Sequence, residues 1–247
     1  TGVQTCALPI STVRDPRLSQ TVALPGQRMQ PAGAGNPYVI GFPSLAGDGS
    51  AFGTNMTGYV MLKHVQIDYT GDYISEYKGS TPAIQFRYAD VLLNYAEALA
   101  EKNGAANAGK IIEILHPLRE RAGMPDIDFD REYNTSAEYP FRNLDKYIQA
   151  VRRERRVEKA LEGRRVFDIM RWAAAEELII GNRAHGALFI GSNLPEQYGP
   201  ELKYDQASGN NMFLTGSPDD AERYILPVPP STMPNGWQFK PNRDYLL

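Results

Sequence analysis

Between residues 84 and 99 apolar side chains return at every third or fourth position: Ile84, Tyr88, Val91, Leu92, Tyr95 and Leu99. That spacing follows the turn of an α-helix and not the alternation of a strand, so the segment reads as an amphipathic helix. Thr81-Pro82 offers a cap and a first-turn proline and Asn103-Gly104 a stop, which predicts a helix over about 83–102. A second helix is expected over about 106–122, carrying Ile111, Ile112, Leu115 and Leu118, kinked at Pro117 and ended by Gly123 and Pro125. The three-residue break between the two predicts an antiparallel hairpin. A longer helical stretch, about 143–180, is interrupted near Glu162-Gly163 and reads as a third and a fourth helix. The fold class expected is therefore mainly α: tetratricopeptide-like helix hairpins with long irregular loops and little β structure.

The rest of the chain is loop-rich, because Gly and Pro supply 22 and 18 of the 247 residues. Residues 11 to about 83 hold no sustained apolar period apart from a short strand expected within Gly58–Ile67, and 181–221 is again Gly, Asn and Pro-rich. The formal net charge of −3 gives no reason to expect a polyanionic partner, so nucleic acid is not an expected ligand. No apolar run approaches the eighteen or so residues that cross a bilayer. The single cysteine, Cys6, cannot form an internal disulfide and lies in TGVQTCALPI, which has neither a basic leader nor a lipobox. The codons ACT GGA GTT CAG ACG TGT GCT CTT CCG ATC encode this decapeptide and resemble the end of a sequencing-adapter primer. Residues 1–10 therefore read as an artefact, with 11–247 as the carboxy-terminal part of a single domain whose amino-terminal half is missing.

The densest charge lies in VRRERRVEKALEGRRVFDIMRW, Val151 to Trp172. Glu154, Glu158 and Glu162 recur at i, i+4 and i+8 among its arginines, a pattern that would repel a phosphate backbone. Tyr147, Val151, Glu154, Glu158 and Leu161 follow the 4-3-4-3 spacing of a helix seam, which places two carboxylates on an apolar face. Buried there, Glu154 and Glu158 need cationic partners, and Arg87, Arg119, Arg121, Arg164 and Arg165 are the candidates for structural ion pairs. Paired carboxylates could also serve acid–base chemistry, which keeps a glycoside hydrolase open as an alternative. No catalytic motif is present, neither a nucleophile elbow nor a phosphate-cradling glycine loop.

Metal signals are weak, and no cofactor is expected. Glu113-x-x-His116 has the spacing of a di-iron ligand pair without the other ligands such a site needs. Asp126, Asp128 and Asp130 begin like a calcium loop, but Arg131 and Ala137 stand where glycine and glutamate should be. The aromatic signal is stronger. Tyr38, Phe42, Phe52, Tyr59, Tyr69, Tyr73 and Tyr77 are interleaved with Asn55, Asp68, Asp72 and Glu76, the mix of flat rings and directional polar groups that covers a sugar and bonds its hydroxyls. From this set Tyr38, Phe52, Asn55, Tyr69, Asp72, Tyr73 and Tyr77 are the candidate ligand contacts. If the rings instead only pack loops onto helices, the chain is a helical adaptor without a small-molecule site.

Four segments in order, FRYADVLLNYAEALAE, PLRERAGMP, VRRERRVEKALEGRRVFDIMRW and YILPVP with FKPNRDY, resemble the carboxy-terminal region of the SusD/RagB family. DPRLSQTVALPG and TGYVMLKHV upstream resemble it as well. The resemblance implies a non-enzymatic, surface-exposed, lipid-anchored outer-membrane protein of Bacteroidota that captures glycans and hands them to a SusC-like TonB-dependent transporter. Its lipidated cysteine would lie upstream of residue 1, and membrane contact would be through that anchor only. No family ligand residue carries across by motif.

Overall fold

The structure, a computed structural model, describes residues 15–23, 56–57, 59–64, 84–198, 213–227 and 231–238. The chain divides into two compact units. The first comprises 14–21, 80–178 and 240–247, and the second comprises 1–13, 22–79 and 179–239.

The first unit is helical. α1 is Arg17–Thr21, α2 is Tyr88–Arg121, α3 is Lys146–Glu158, α4 is Arg165–Arg171 and α5 is Ala175–Leu178. A straight helix of 34 residues would be about 50 Å long. Yet Arg87, just before α2, and Arg121, its last residue, both bond Oε1 of Glu158, at 2.6 and 2.7 Å. The two ends therefore lie side by side and α2 is a hairpin. It reverses at Asn103, where φ −174° and ψ 88° leave the helical region. The Asn103 side chain caps the second limb by accepting from Ala106 N, and Asn107 Nδ2 donates back across the turn to the Leu99 carbonyl. The hairpin of the sequence reading is present, closed by one residue rather than three. Its first limb starts at Tyr88, later than about 83, with Arg87 as the N-cap, whose backbone N–H donates to the Asp90 carboxylate; Thr81-Pro82 lies outside the described residues. Pro117 keeps helical backbone angles inside the second limb.

The core between the limbs and α3 consists of Ala89, Leu92, Leu93, Ala96, Ala100, Ile111, Ile114, Leu115, Leu118, Ala150 and Val151, closed at one side by Ile127 and Phe129. Alanines on the first limb's inner face let the helices approach closely. Asp145 caps α3 by accepting from Tyr147 N and Ile148 N. The third helix ends at Glu158, so Leu161 lies beyond the seam in a left-handed turn, φ 61°, and is half exposed. Gly163, φ 70°, completes that turn. The long fourth helix expected to about 180 is instead divided, with a break at Ala173, φ 48°, between α4 and α5.

In the second unit, β1 (Val22–Ala23) pairs antiparallel with β2 (Val60–Met61), and β3 (Leu188–Ile190) with β4 (Arg223–Tyr224). The strand expected within Gly58–Ile67 is thus two residues long among the described residues. Phe189, Leu194 on α6 (Leu194–Tyr198) and Ile225 form a small core. Ser192 Oγ accepts from Leu194 N at the start of α6. Around Gly236, φ 66°, the chain folds back so that Trp237 N donates to the Asn182 carbonyl and Gly181 N to the Trp237 carbonyl.

Two helical glycines should respond in opposite ways. A Cβ at Gly104 would overlap Cβ and Cγ of Tyr147, so Gly104→Ala should lower stability by about 1–3 kcal/mol. Gly109 has open space around it, and Gly109→Ala should raise stability by up to about 1 kcal/mol. Urea unfolding midpoints of the two variants check both.

Candidate functional site

The helices are joined through charge. Glu154, Glu158 and Asp168 are 2–3% exposed, and every one of them meets arginine. Glu154 takes Arg17 Nη1 at 2.5 Å and Arg119 Nη1 at 2.8 Å. Glu158 takes Arg17 at 3.3 Å, Arg87 at 2.6 Å and Arg121 at 2.7 Å. Arg87 also bonds Glu162, while Lys159 bridges Asp90 and Glu162 at 2.7 Å each. Asp15 holds the outer edge of Arg17. Six carboxylates (Asp15, Asp90, Glu132, Glu154, Glu158, Glu162) thus face six cations (Arg17, Arg87, Arg119, Arg121, Arg153, Lys159) around α1, both limbs of α2 and α3. Balance of this kind is what allows charges to be buried.

Arg87, Arg119, Glu154 and Glu158 are therefore brought together, and Arg17 joins them from far upstream. Arg164 and Arg165 go elsewhere. Arg164 donates to the Gln85 carbonyl, and Arg165 lies over the Trp172 ring with its Nη1 buried and without a hydrogen-bond partner. Burial holds the Arg165 guanidinium below its ordinary pKa.

A second cluster continues from this seam to an open pocket. Arg155 bonds Asp168 at 2.6 Å and Asn94 at 2.7 Å. Glu97 accepts from Arg171 at 2.5 Å and from the Trp172 indole N–H at 2.6 Å. Burial opposes ionisation of Glu97, but the bonds from Arg171 and Trp172 outweigh it, and its pKa lies below the ordinary value. Trp172, anchored in this way, carries Arg152 over its ring at 4.5 Å and meets Phe141 edge-on at 6.1 Å. The chain from Ala137 to Leu144 curls around these rings and, with Arg152, Trp172, Ala174 and Glu177, lines a pocket of about 430 Å³. That volume is within the small-ligand range. Phe141, Leu144 and Ala174 give apolar wall, while Glu138, Arg142, Asn143 and Glu177 offer donors and acceptors in several directions. Residues 137–144 carry no local sequence signal that marks them as a site.

The candidate ligand contacts Tyr38, Phe52, Asn55, Tyr69, Asp72, Tyr73 and Tyr77 lie outside the described residues, as does Cys6. The metal candidates meet other groups or one another in pairs: Glu113 bonds Lys110, His116 and Asp126 bond each other, Asp130 bonds Lys146, and Asp128 caps its own turn. Among the described residues no group of three or more His, Cys, Asp and Glu is placed to hold a metal.

A helix hairpin braced by a third helix, with charge buried at its seams, defines a tetratricopeptide-like α scaffold. The chain belongs to the SusD family, which it matches over residues 5–247. It is 32% identical over 110 residues to SusD-like protein P25 of Formosa agariphila, 44% of this chain and 18% of that one. A crystal structure of a SusD-like protein from Bacteroides fragilis superposes with TM-score 0.57 at 20% identity, over 96% of this chain and 36% of that one. A SusD-like carbohydrate binding protein from the same species gives TM-score 0.55 at 24% identity, over 96% and 39%. The chain thus spans less than two fifths of the length of these relatives.

Removing one member of the seam leaves buried charge without a partner. Glu158→Gln should cost about 3–5 kcal/mol, measured by urea unfolding at neutral pH. Asp90 and Glu97 have folded-state pKa values below the ordinary 3.8 and 4.5, so the folded chain binds their protons less tightly than the unfolded one. Their stabilisation is complete above about pH 4.5 and is lost as pH falls through the folded values. Urea midpoints should accordingly fall below about pH 4.5, and more shallowly in Glu97→Gln.

Proposed function

We propose that this chain is part of a surface protein that captures glycans at the outer membrane and delivers them to a SusC-like TonB-dependent transporter, without chemistry of its own. The observation that carries the reading is membership of the SusD family over nearly the whole chain, together with the likeness to a solved relative described as carbohydrate binding. The pocket at Phe141 and Trp172 adds to it, since rings and a mixed polar rim suit a polyhydroxylated ligand. The aromatic-rich segment 34–80 is the second proposed contact region, through Tyr38, Phe52, Asn55, Tyr69, Asp72, Tyr73 and Tyr77.

A hydrolytic reading through Glu154 and Glu158 has little support. Those carboxyl groups are saturated by arginines inside a helix pair, where a glycosidase would present two of them across a cleft. Attachment to the membrane is proposed through a lipid anchor outside this chain; among the described residues no helix is long and apolar enough to cross a bilayer.

Affinity electrophoresis against a panel of neutral and acidic polysaccharides tests capture. Retardation by at least one polysaccharide is expected. Because the chain has two tryptophans, a Trp237→Phe variant reports Trp172 alone, and the retarding glycan should change its fluorescence saturably. Asn143→Ala and Glu177→Ala, both at the pocket rim, should weaken retardation without altering the unfolding midpoint. An absence of retardation across the panel would instead favour the helical adaptor.

A further inference from the structure

The arginines gathered at Trp172 are not all neutralised. Arg152, Arg165 and Arg171 lie over its ring at 4.5, 5.0 and 5.4 Å, and Arg152 also lies over Phe141 at 5.7 Å. Arg171 is matched by Glu97 at 2.5 Å. Arg165 has a buried Nη1 without a hydrogen-bond partner, and the buried Nε of Arg152 has none either. Among the described residues the carboxylate that meets Arg152 is Glu101, at 3.2 Å and about half exposed. A surface pair of that kind is screened by water and offsets little charge.

Arg152 is also a wall of the pocket, and its side chain is only 11% exposed. Arg142, at the rim, donates to the Ala137 carbonyl at 2.6 Å, a bond that leaves its charge uncompensated. Aromatic edges are electropositive, and the ring faces at this corner already carry guanidiniums. The wall at Phe141 and Trp172 therefore presents positive charge held against aromatic surface, more than the bare ring faces on which a neutral sugar stacks. Glu138 and Glu177 stand at the rim too, but exposed, where water screens them more than it screens Arg152. They would repel a ligand dense in charge, so the pocket suits one anionic group per sugar and not several.

Taking glycan capture, as proposed above, for the activity, we infer that this pocket takes a uronic acid residue of an acidic polysaccharide, with its carboxylate on the guanidiniums of Arg152 and Arg142 and its hydroxyls on Asn143 and Glu177. A planar carboxylate matches the guanidinium fork, which can give it two parallel N–H bonds. An arginine largely removed from water binds that carboxylate more strongly than an exposed one does, because less screening stands between the charges. Arg165, on the same indole ring, adds positive potential without a carboxylate of its own.

Affinity electrophoresis of the full chain tests this in gels holding polygalacturonate, alginate or a glucuronate-bearing xylan, each beside its carboxyl-reduced form, with a neutral glucan and a sulfated galactan in parallel. The expected result is retardation by at least one uronate polysaccharide, weakened about tenfold or more by carboxyl reduction, by Arg142→Gln and by Arg152→Gln, and less by Arg152→Lys. Urea midpoints identify the variants that stay folded, and Arg142, being exposed, carries the test if Arg152→Gln unfolds. Equal retardation by native and carboxyl-reduced glycan, or by the neutral glucan alone, overturns the uronate assignment and leaves capture standing. Stronger retardation by the sulfated galactan than by every uronate overturns it in favour of a sulfate ester. Uronate retardation that neither arginine variant changes overturns the pocket as the site. Retardation in none of the gels overturns capture itself, and the uronate assignment with it.

Discussion

Glu158 is buried on an apolar helix face and holds three arginines from three segments of the chain. Its carboxylate could not survive there alone, because desolvation of an unpaired ion costs several kcal/mol. Its neutralisation requires Arg17 from α1, Arg87 from the start of α2 and Arg121 from its end. One side chain therefore demands that both ends of the hairpin and a short upstream helix converge on α3. Apolar packing alone would tolerate some sliding of helices along one another; these bonds, most of them between 2.5 and 2.9 Å, define a register. The ion pairs contribute specificity of arrangement more than net stability, since well-packed apolar residues can replace such networks without loss.

The same arrangement reaches the pocket. Glu97 stands on the inner face of the first limb and holds Arg171 and the Trp172 indole; Trp172 in turn supports Arg152 and meets Phe141 at the pocket wall. A carboxylate buried in the scaffold thereby orients an aromatic wall in a loop-built site. The loop 137–144 owes its shape to this support and to Gln149 on α3, whose amide donates to the Asn134 and Phe141 carbonyls. Rigid helices carrying variable loops is the division of labour expected where binding sites must be both precise and changeable.

Much of the scaffold was legible in the sequence. The helix identities of α2 and α3, the hairpin and the burial of Glu154 and Glu158 follow from period and spacing, because helix geometry is local. Legibility failed where the outcome depended on distant parts of the chain. Arg17 is not legible as a seam partner, since it is 137 residues from Glu154 and nothing local marks it. Arg164 and Arg165 are adjacent in sequence to the seam but stand at the start of α4, which directs them to Gln85 and Trp172. The pocket is not legible in sequence because its walls come from a loop, α3 and the residues around α5, none of which carries a local signal.

The apolar period on the first limb shows the same division most clearly, since Leu92, Leu93 and Ala96 are buried while Tyr88, Val91 and Tyr95 are exposed. By itself the sequence determined that two helices, over about 83–102 and 106–122, are joined near Asn103-Gly104, that apolar residues recur on them, and that the glutamates of α3 need cations. Only the tertiary structure decided which of two apolar faces is covered, which arginine meets which glutamate, and where open space remains. The physical reason is that period and capping depend on residues within a turn or two of one another. Burial and ion pairing depend on distances between segments that the chain brings together only when it folds.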